Sequence, residues 1–178
     1  MTVQEILEAI AALTEVERLD LLSRLREIYA AEPRPAPLDR AVSGDWERRA
    51  DFMLVFDGGS QGNPGPAYGS YAIVDDKGEV KVERLSFDVP LTNNEAEYHT
   101  LLAAIRALQR RVGGRAGRVV VVVRGDSQLV IEQVSGNWQA KEPRMRQLAD
   151  EARQLLGKFK RYRLIWQPRE DTVRMLGH

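Results

Sequence analysis

The chain has 178 residues, 43% of them hydrophobic, which suits one ordinary domain with a sizeable core and an appendage. It contains no cysteine, so disulfides and thiolate metal sites are excluded. No apolar run approaches the roughly 18 residues of a membrane span, and the acidic N-terminus is unlike a signal peptide, so we expect a soluble, cytoplasmic protein with no membrane partner.

Residues 1–30 have the pattern of a helical hairpin. Thr2 with Glu5 and Thr14 with Glu17 fit the capping-box spacing, and each predicted helix carries one apolar stripe. The segment is net acidic, which argues against a role in nucleic-acid binding. A hairpin of about 30 residues cannot bury two stripes alone. We therefore expect it to pack on the following domain or, preferentially, to form a homodimer as a four-helix bundle.

Residues 31–50 contain three closely spaced prolines, in "EPRPAP", and read as a linker. From residue 51 the pattern predicts three strands, a helix, a strand, two helices, a last strand and a short terminal helix. The run "RVVVVVRGD" is typical of a strand buried on both faces. The sequence thus predicts an α/β domain over residues 51–178, with a sheet that is part antiparallel and part parallel.

Three acidic residues fall where they can converge. Asp57 ends the first predicted strand, and Asp126 ends the valine-rich one. Sites in open α/β sheets form outside the carboxyl ends of strands, so these two carboxylates meet if the strands are parallel neighbours. Glu97 lies at the edge of the apolar face of the helix that follows "TNN". Three such carboxylates would form a site for Mg²⁺ or Mn²⁺, and a metal pair could activate water for phosphodiester cleavage.

Each acid also has a simpler interpretation. Asp57 could begin a turn, Asp126 could cap the next helix, and Glu97 could favour its helix N-terminus electrostatically. The hypothesis of a metal site depends on all three acting together.

Three motifs in order, "DGGSQGNPGP", "TNNEAEYHTLLAAI" and "GDSQLV", resemble the type 1 ribonuclease H family, especially its bacterial and archaeal branch. The resemblance covers about residues 51–170. It implies a five-stranded mixed sheet flanked by helices, and hydrolysis of the RNA strand of RNA–DNA hybrids with two Mg²⁺ or Mn²⁺ ions. It also implies that the catalytic and metal-binding acids are Asp57, Glu97 and Asp126.

The same resemblance implies a set of substrate-binding positions. Glycines after the first acid lack a Cβ and would let the backbone approach RNA closely, where the 2′-hydroxyl distinguishes RNA from DNA. Amide side chains could bond to sugars and base edges. The positions are Gly58, Gly59, Ser60, Asn63, Asn93, Asn94 and Gln128.

One family feature is missing. The family carries a fourth acid in its last helix, and Leu176 takes that position in "PREDTVRMLGH", where the helix is also shortened. Asp171 and His178 are candidate substitutes as metal ligands. Two further hypotheses therefore stay open beside an active nuclease. One is a weakened protein of the same fold that binds hybrids or double-stranded RNA, and the other is a structural module that acts through its hairpin.

Overall fold

A computed structural model describes residues 2, 6, 9–14 and 50–177. The chain divides into two units, Met1–Asp39 and Arg40–His178. In the first unit, residues 6 and 9–11 are helical. The predicted hairpin and linker otherwise lie outside the described residues, as do Glu5 and Glu17 of the two N-terminal capping boxes. Among the residues that the structure covers, no helix is both long enough and apolar enough to cross a membrane.

Over residues 50–177, the described part of the second unit contains five strands and four α-helices in the order that the sequence predicts. A short 3₁₀ segment, Gly113–Arg118, precedes the fourth strand. The strands are β1 Phe52–Ser60, β2 Gly65–Asp75, β3 Val80–Leu91, β4 Val120–Gly125 and β5 Arg161–Trp166. The helices are α1 Asn93–Val112, α2 Gln128–Ser135, α3 Pro143–Leu156 and α4 Arg169–Leu176.

The strands form one sheet in the order β3-β2-β1-β4-β5. β1 is central, pairing antiparallel with β2 and parallel with β4, while β4 pairs parallel with β5. The five-stranded mixed sheet with flanking helices is therefore confirmed. One detail differs: β1 continues three residues beyond Asp57, because Gly58, Gly59 and Ser60 stay paired with β2.

The main core lies between one face of the sheet and helices α1 to α3. Alternate residues of β1, Leu54 and Phe56, face this core, and α1 contributes Leu101, Ile105 and Leu108, all fully buried. The helix keeps its apolar residues on one side because they recur at helical spacing. This packing fixes α1 across β1.

The opposite face of the sheet is covered near β1 by α4. There Val55, Ala72 and Leu176 form a small apolar cluster in which each side chain is at most 1% exposed. Val55 and Asp57 lie on the same face of β1, because side chains alternate along a strand. Helix α4 thus packs against β1 two residues before Asp57.

Candidate active site

Asp57 and Asp126 are brought together by the parallel pairing of β1 and β4. Phe56 pairs in register with Gly125. Asp57 directly follows Phe56, and Asp126 directly follows Gly125. Gly125 is required here because a Cβ would stand 2.6 Å from the Phe56 ring. Asp57 is only 5% exposed, and Asp126 is half-buried. The sequence prediction that these two carboxylates converge is confirmed.

Glu97 reaches the same place from the first turns of α1. The helix start is fixed by a capping box, in which the Glu95 N–H donates to Thr92 Oγ1 (3.2 Å) and the Thr92 N–H donates to Glu95 Oε2 (2.8 Å). Arg144 of α3 adds an ion pair to Glu95 at 2.8 Å. The hydrogen bond from the Thr92 N–H is the main reason that the pKa of Glu95 lies below its ordinary value.

The helix can approach β1 because residue 58 is glycine. A Cβ there would stand 2.6 Å from the main chain of Ala96 and from the Glu97 nitrogen. The Gly58 N–H also hydrogen-bonds to the Glu97 carboxylate. Gly58 therefore has a structural role inside the fold, independent of any contact with RNA.

Oxygens of Asp57, Glu97 and Asp126 all lie within 4.8 Å of one another. Two of these buried oxygens, Glu97 Oε2 and Asp126 Oδ1, accept no hydrogen bond within the described part of the chain. Buried carboxylates without partners are costly unless a cation compensates them. A cluster of hard oxygen ligands with unused lone pairs suits Mg²⁺ or Mn²⁺.

The crowding of three carboxylates also shows in their protonation. Burial, and then the charges of Asp57 and Asp126, raise the pKa of Glu97 to about 9. Burial and the charge of Asp57 likewise raise the pKa of Asp126. Both shifts indicate a site that disfavours negative charge unless a cation is bound.

Arg169, which the sequence analysis did not single out, places a cation beside this cluster. Its Nη1 atom is 3.4 Å from Asp126 Oδ2 and 3.9 Å from Asp57 Oδ1, while 68% of the side chain is exposed. It sits at the first position of α4, directly after the loop that leaves β5. The motif "PRE" contains this arginine, but its position beside the acids follows only from the tertiary fold.

Comparison with known proteins identifies the family. Residues 55–174 match the family described as reverse transcriptase-like. The chain is 37% identical over 139 residues to ribonuclease HI of Halobacterium salinarum, a match that covers 78% of this chain and 67% of that protein. The chain belongs to the reverse transcriptase-like, ribonuclease H-like family.

Solved structures of ribonucleases H show the same fold. The Halobacterium salinarum RNase H1 structure superposes with a TM-score of 0.62 at 35% identity, covering 69% of this chain and 89% of that one. LC11-RNase H1 in complex with an RNA/DNA hybrid gives a TM-score of 0.63 at 30% identity, with the same coverage. The chain also matches the bifunctional protein Rv2228c of Mycobacterium tuberculosis at 39% identity over 118 residues, but these span only 31% of that protein and 66% of this chain.

Leu176, which the sequence analysis aligns with the family's fourth acid, is buried in an apolar environment. Leu176 is 1% exposed and packs against Val55 and Ala72. Asp171 forms an ion pair with Arg174 at 3.4 Å, and it does not belong to the acidic cluster found among the described residues. His178 lies outside the described residues. The structure therefore brings together three of the predicted ligands and places Asp171 apart from them.

Three of the residues predicted to bind substrate are joined by hydrogen bonds between the β1–β2 loop and α1. Asn93 Oδ1 accepts the Ser60 N–H at 2.8 Å, and Asn63 Oδ1 accepts the Asn93 N–H at 3.1 Å. These bonds tie the β1–β2 loop to the start of α1. Asn94 and Gln128 are exposed near the first turns of α1 and α2. Gly59 lies beneath Tyr68, whose hydroxyl would be 2.6 Å from a Cβ at that position.

Proposed function

We propose that this chain is a divalent-metal-dependent endonuclease that hydrolyses the RNA strand of RNA–DNA hybrids. The observation that carries the proposal is the convergence of Asp57, Glu97 and Asp126, with carboxylate oxygens within 4.8 Å of one another. The family and the hybrid complex of LC11-RNase H1 support the substrate class.

The three carboxylates would hold Mg²⁺ or Mn²⁺. A bound metal pair would supply an activated water and would stabilise the leaving oxygen of the phosphodiester. The chain's own residues position the Glu97 carboxylate: Gly58 donates its N–H to Glu97, and the capping box sets where α1 begins. Arg169 brings a positive charge to the mouth of the site, where an anionic substrate must enter.

The substrate-binding part of the proposal assigns the edge of the site to the hybrid. Asn63 and Asn93 use their side-chain carbonyls inside the protein, so their amide NH₂ groups would donate to the sugar or base edges of the substrate. Asn94 and Gln128 would add polar contacts, and Gly58, Gly59 and Ser60 would supply backbone groups. The 2′-hydroxyl would identify the RNA strand.

The test is cleavage of a labelled hybrid by the purified full chain in Mg²⁺ or Mn²⁺. The matched control is Asp57→Asn, which keeps the shape of the side chain and removes its charge. We expect cleavage of the RNA strand that is lost in EDTA and falls by at least about a hundredfold in the variant. Full activity in either condition would contradict the proposed mechanism.

A second candidate is a protein of this fold that binds hybrids or double-stranded RNA and cleaves them poorly. The observation in its favour is the burial of Leu176, the residue that the sequence analysis aligns with the family's fourth acid. Under this hypothesis, hybrid binding in a gel-shift assay would match that of an active relative, while turnover at saturating metal would stay near background.

For residues 1–30 we propose a hairpin that dimerises the chain, joined by a linker over residues 31–50 to the nuclease domain at 51–178. Light scattering after size exclusion tests this on the full chain and on a shortened chain that begins at Asp45. We expect a dimer for the first and a monomer for the second. A cytoplasmic location belongs to the same proposal, and fractionation of cells tests it.

A further inference from the structure

The two short connections that lead into β4 and β5 are both basic. The 3₁₀ segment before β4 carries Arg115 and Arg118, and the turn before β5 carries Lys158 and Lys160. Neither connection, over residues 113–119 and 157–160, contains an acidic residue, although the whole chain has 26 acidic and 26 basic residues. This local excess of positive charge takes no part in the candidate active site.

The fold joins the two connections into one surface. The Lys160 N–H donates to the Val119 oxygen at 3.0 Å, and Val120 pairs in register with Arg161. Because β4 and β5 are parallel neighbours, both connections lie at the amino ends of their strands, which are about 4.8 Å apart. We call the surface formed by their four cations the basic end of the sheet: Arg115, Arg118, Lys158 and Lys160.

The four cations of the basic end are exposed, and within the described part of the chain none of them forms an ion pair or a side-chain hydrogen bond. Other charged residues nearby are already engaged. Arg111, at the end of α1, is paired with Asp75 at 3.0 Å, and the Asp51 carboxylate accepts the Val120 N–H at 2.7 Å. The charges of the basic end are therefore available to a ligand.

The basic end offers charge without an apolar patch. The large apolar side chains of the two connections, Val119 and Phe159, are 8% and 5% exposed. A Cβ at Gly114 or Gly117 would meet nothing within 4 Å among the described residues, so a bulky ligand can approach the first connection closely. A surface that inserts into a membrane needs exposed apolar side chains beside its cations, so the basic end suits a hydrophilic anion instead.

The basic end is separate from the acidic cluster. Asp126 follows the carboxyl end of β4, whereas the basic end lies at the amino end of the same strand. β4 has six residues, Val120–Gly125, so about 20 Å of strand separates the two. A ligand at the basic end needs neither the metal nor the carboxylates, and its binding does not depend on cleavage.

We propose that the basic end is a second nucleic-acid contact surface, which binds the phosphate backbone of a duplex without regard to sequence or sugar. Duplex DNA carries about one negative charge for every 1.7 Å of its axis, so it can meet several fixed cations at once wherever it is gripped. An acidic protein would need carboxylates in a matching arrangement, whereas a phosphate backbone presents the same repeat along its whole length.

Binding of a short fluorescent DNA duplex to the full chain tests the surface, measured by anisotropy in EDTA at several salt concentrations. If each cation meets one phosphate, the four together contribute about −3.6 to the slope of log K against log salt. Each double variant, Arg115→Gln/Arg118→Gln and Lys158→Gln/Lys160→Gln, should make that slope less steep by about 1.8. At about 50 mM salt each should raise the Kd at least about tenfold.

Lys81→Gln/Arg106→Gln is the matched control. It removes the same net charge from two exposed cations that are already paired with Glu83 and Glu151, and its slope should equal that of the wild type. An equal change in the control, unchanged slopes in both double variants, or no binding of DNA by the wild type at about 50 mM salt would overturn the proposal.

Two further measurements use the wild-type chain. Acetylation of lysines in the presence of the duplex should spare Lys158 and Lys160 and leave Lys81 reactive, whereas equal protection of all three would place the DNA elsewhere and overturn the assignment. Polyglutamate at the same concentration of charge should displace the duplex much less well than unlabelled DNA, because its flexible chain presents no fixed repeat of charge. Equal displacement would overturn the choice of nucleic acid as the ligand.

Cleavage of a short RNA–DNA hybrid in Mg²⁺ separates this inference from the nuclease proposal. Both double variants should cleave a saturating hybrid with the wild-type kcat, and Asp57→Asn should leave the binding of DNA in EDTA unchanged. If the duplex binds with the expected slopes but no hybrid is cleaved, the nuclease proposal fails and the second surface stands. If hybrids are cleaved but the slopes do not respond to the double variants, the second surface fails and the nuclease proposal stands.

Discussion

Leu176 of α4 packs against Val55 of β1, two residues before Asp57 on the same face of the strand. The position that the sequence analysis aligns with the family's fourth acid is thereby part of an apolar cluster.

Restoring the acid should therefore destabilise the metal-free protein. We expect Leu176→Asp to lower the free energy of unfolding by about 3 kcal/mol or more, because a charge replaces a buried aliphatic side chain. Leu176→Asn is the control of similar size without charge. If residue 176 can reach the site, Mn²⁺ should raise the Tm of Leu176→Asp more than that of Leu176→Asn, since binding stabilises the folded state. Equal shifts would show that the helix cannot place a ligand there.

The stability of the metal-free chain should fall as pH rises. The pKa of Glu97 is raised from 4.5 to about 9, so between these values the folded protein retains a proton that the unfolded chain releases. Rising pH therefore favours unfolding across this window. Thermal unfolding in EDTA from pH 5 to pH 9 should show a falling Tm for the wild type and a flatter profile for Glu97→Gln. Parallel profiles would contradict the buried, crowded state of this carboxyl.

Removing Arg169 should strengthen metal binding. Its guanidinium lies 3.4 Å from Asp126 and repels a second cation at the same carboxylates. Since the side chain is largely exposed, screening limits the gain, and we expect Arg169→Gln to bind Mn²⁺ about twofold to tenfold more tightly by calorimetry. Arg174→Gln removes the same charge from an ion pair with Asp171, away from the cluster, and should leave the affinity unchanged.

A methyl group at residue 58 should separate β1 from α1. The Cβ of Gly58→Ala would meet main-chain atoms of Ala96 and Glu97 at 2.6 Å, and backbone cannot move aside as a flexible side chain can. We expect a loss of about 3 kcal/mol in urea unfolding, at the upper end for overpacking. Gly114→Ala is the control, because a Cβ there meets nothing within 4 Å. A tolerated Gly58→Ala would mean that α1 is not tightly seated.

The acidic cluster could be predicted from sequence because local patterns determine where Asp57, Glu97 and Asp126 lie in their elements. A valine-rich run ahead of Asp126 indicates a buried strand, and helical spacing places Glu97 beside the apolar face. The extent of β1 could not be predicted, since Gly58 and Gly59 have low strand preference and stay in the sheet only through pairing with β2.

The positions of Arg169 and Trp166 depend on which strands are neighbours. β5 lies beside β4 although some 35 residues separate them in the chain, so no local pattern places Trp166 against Asp126. The ion pair between Glu95 and Arg144 is similar, because it joins residues 49 positions apart. The capping box of Thr92 and Glu95 differs from these, because its two residues are only three positions apart and their spacing alone indicates it.

The hydrogen bonds from Ser60 N–H to Asn93 and from Asn93 N–H to Asn63 bear on the thermodynamics of association. They order the β1–β2 loop when the domain folds, so its backbone entropy is lost then and not on encounter with a ligand. A loop ordered in advance changes little between the free and bound states, which favours rapid association without a slow closing step. It would also make the conformational entropy change of binding small, leaving the release of counterions as the larger entropic contribution.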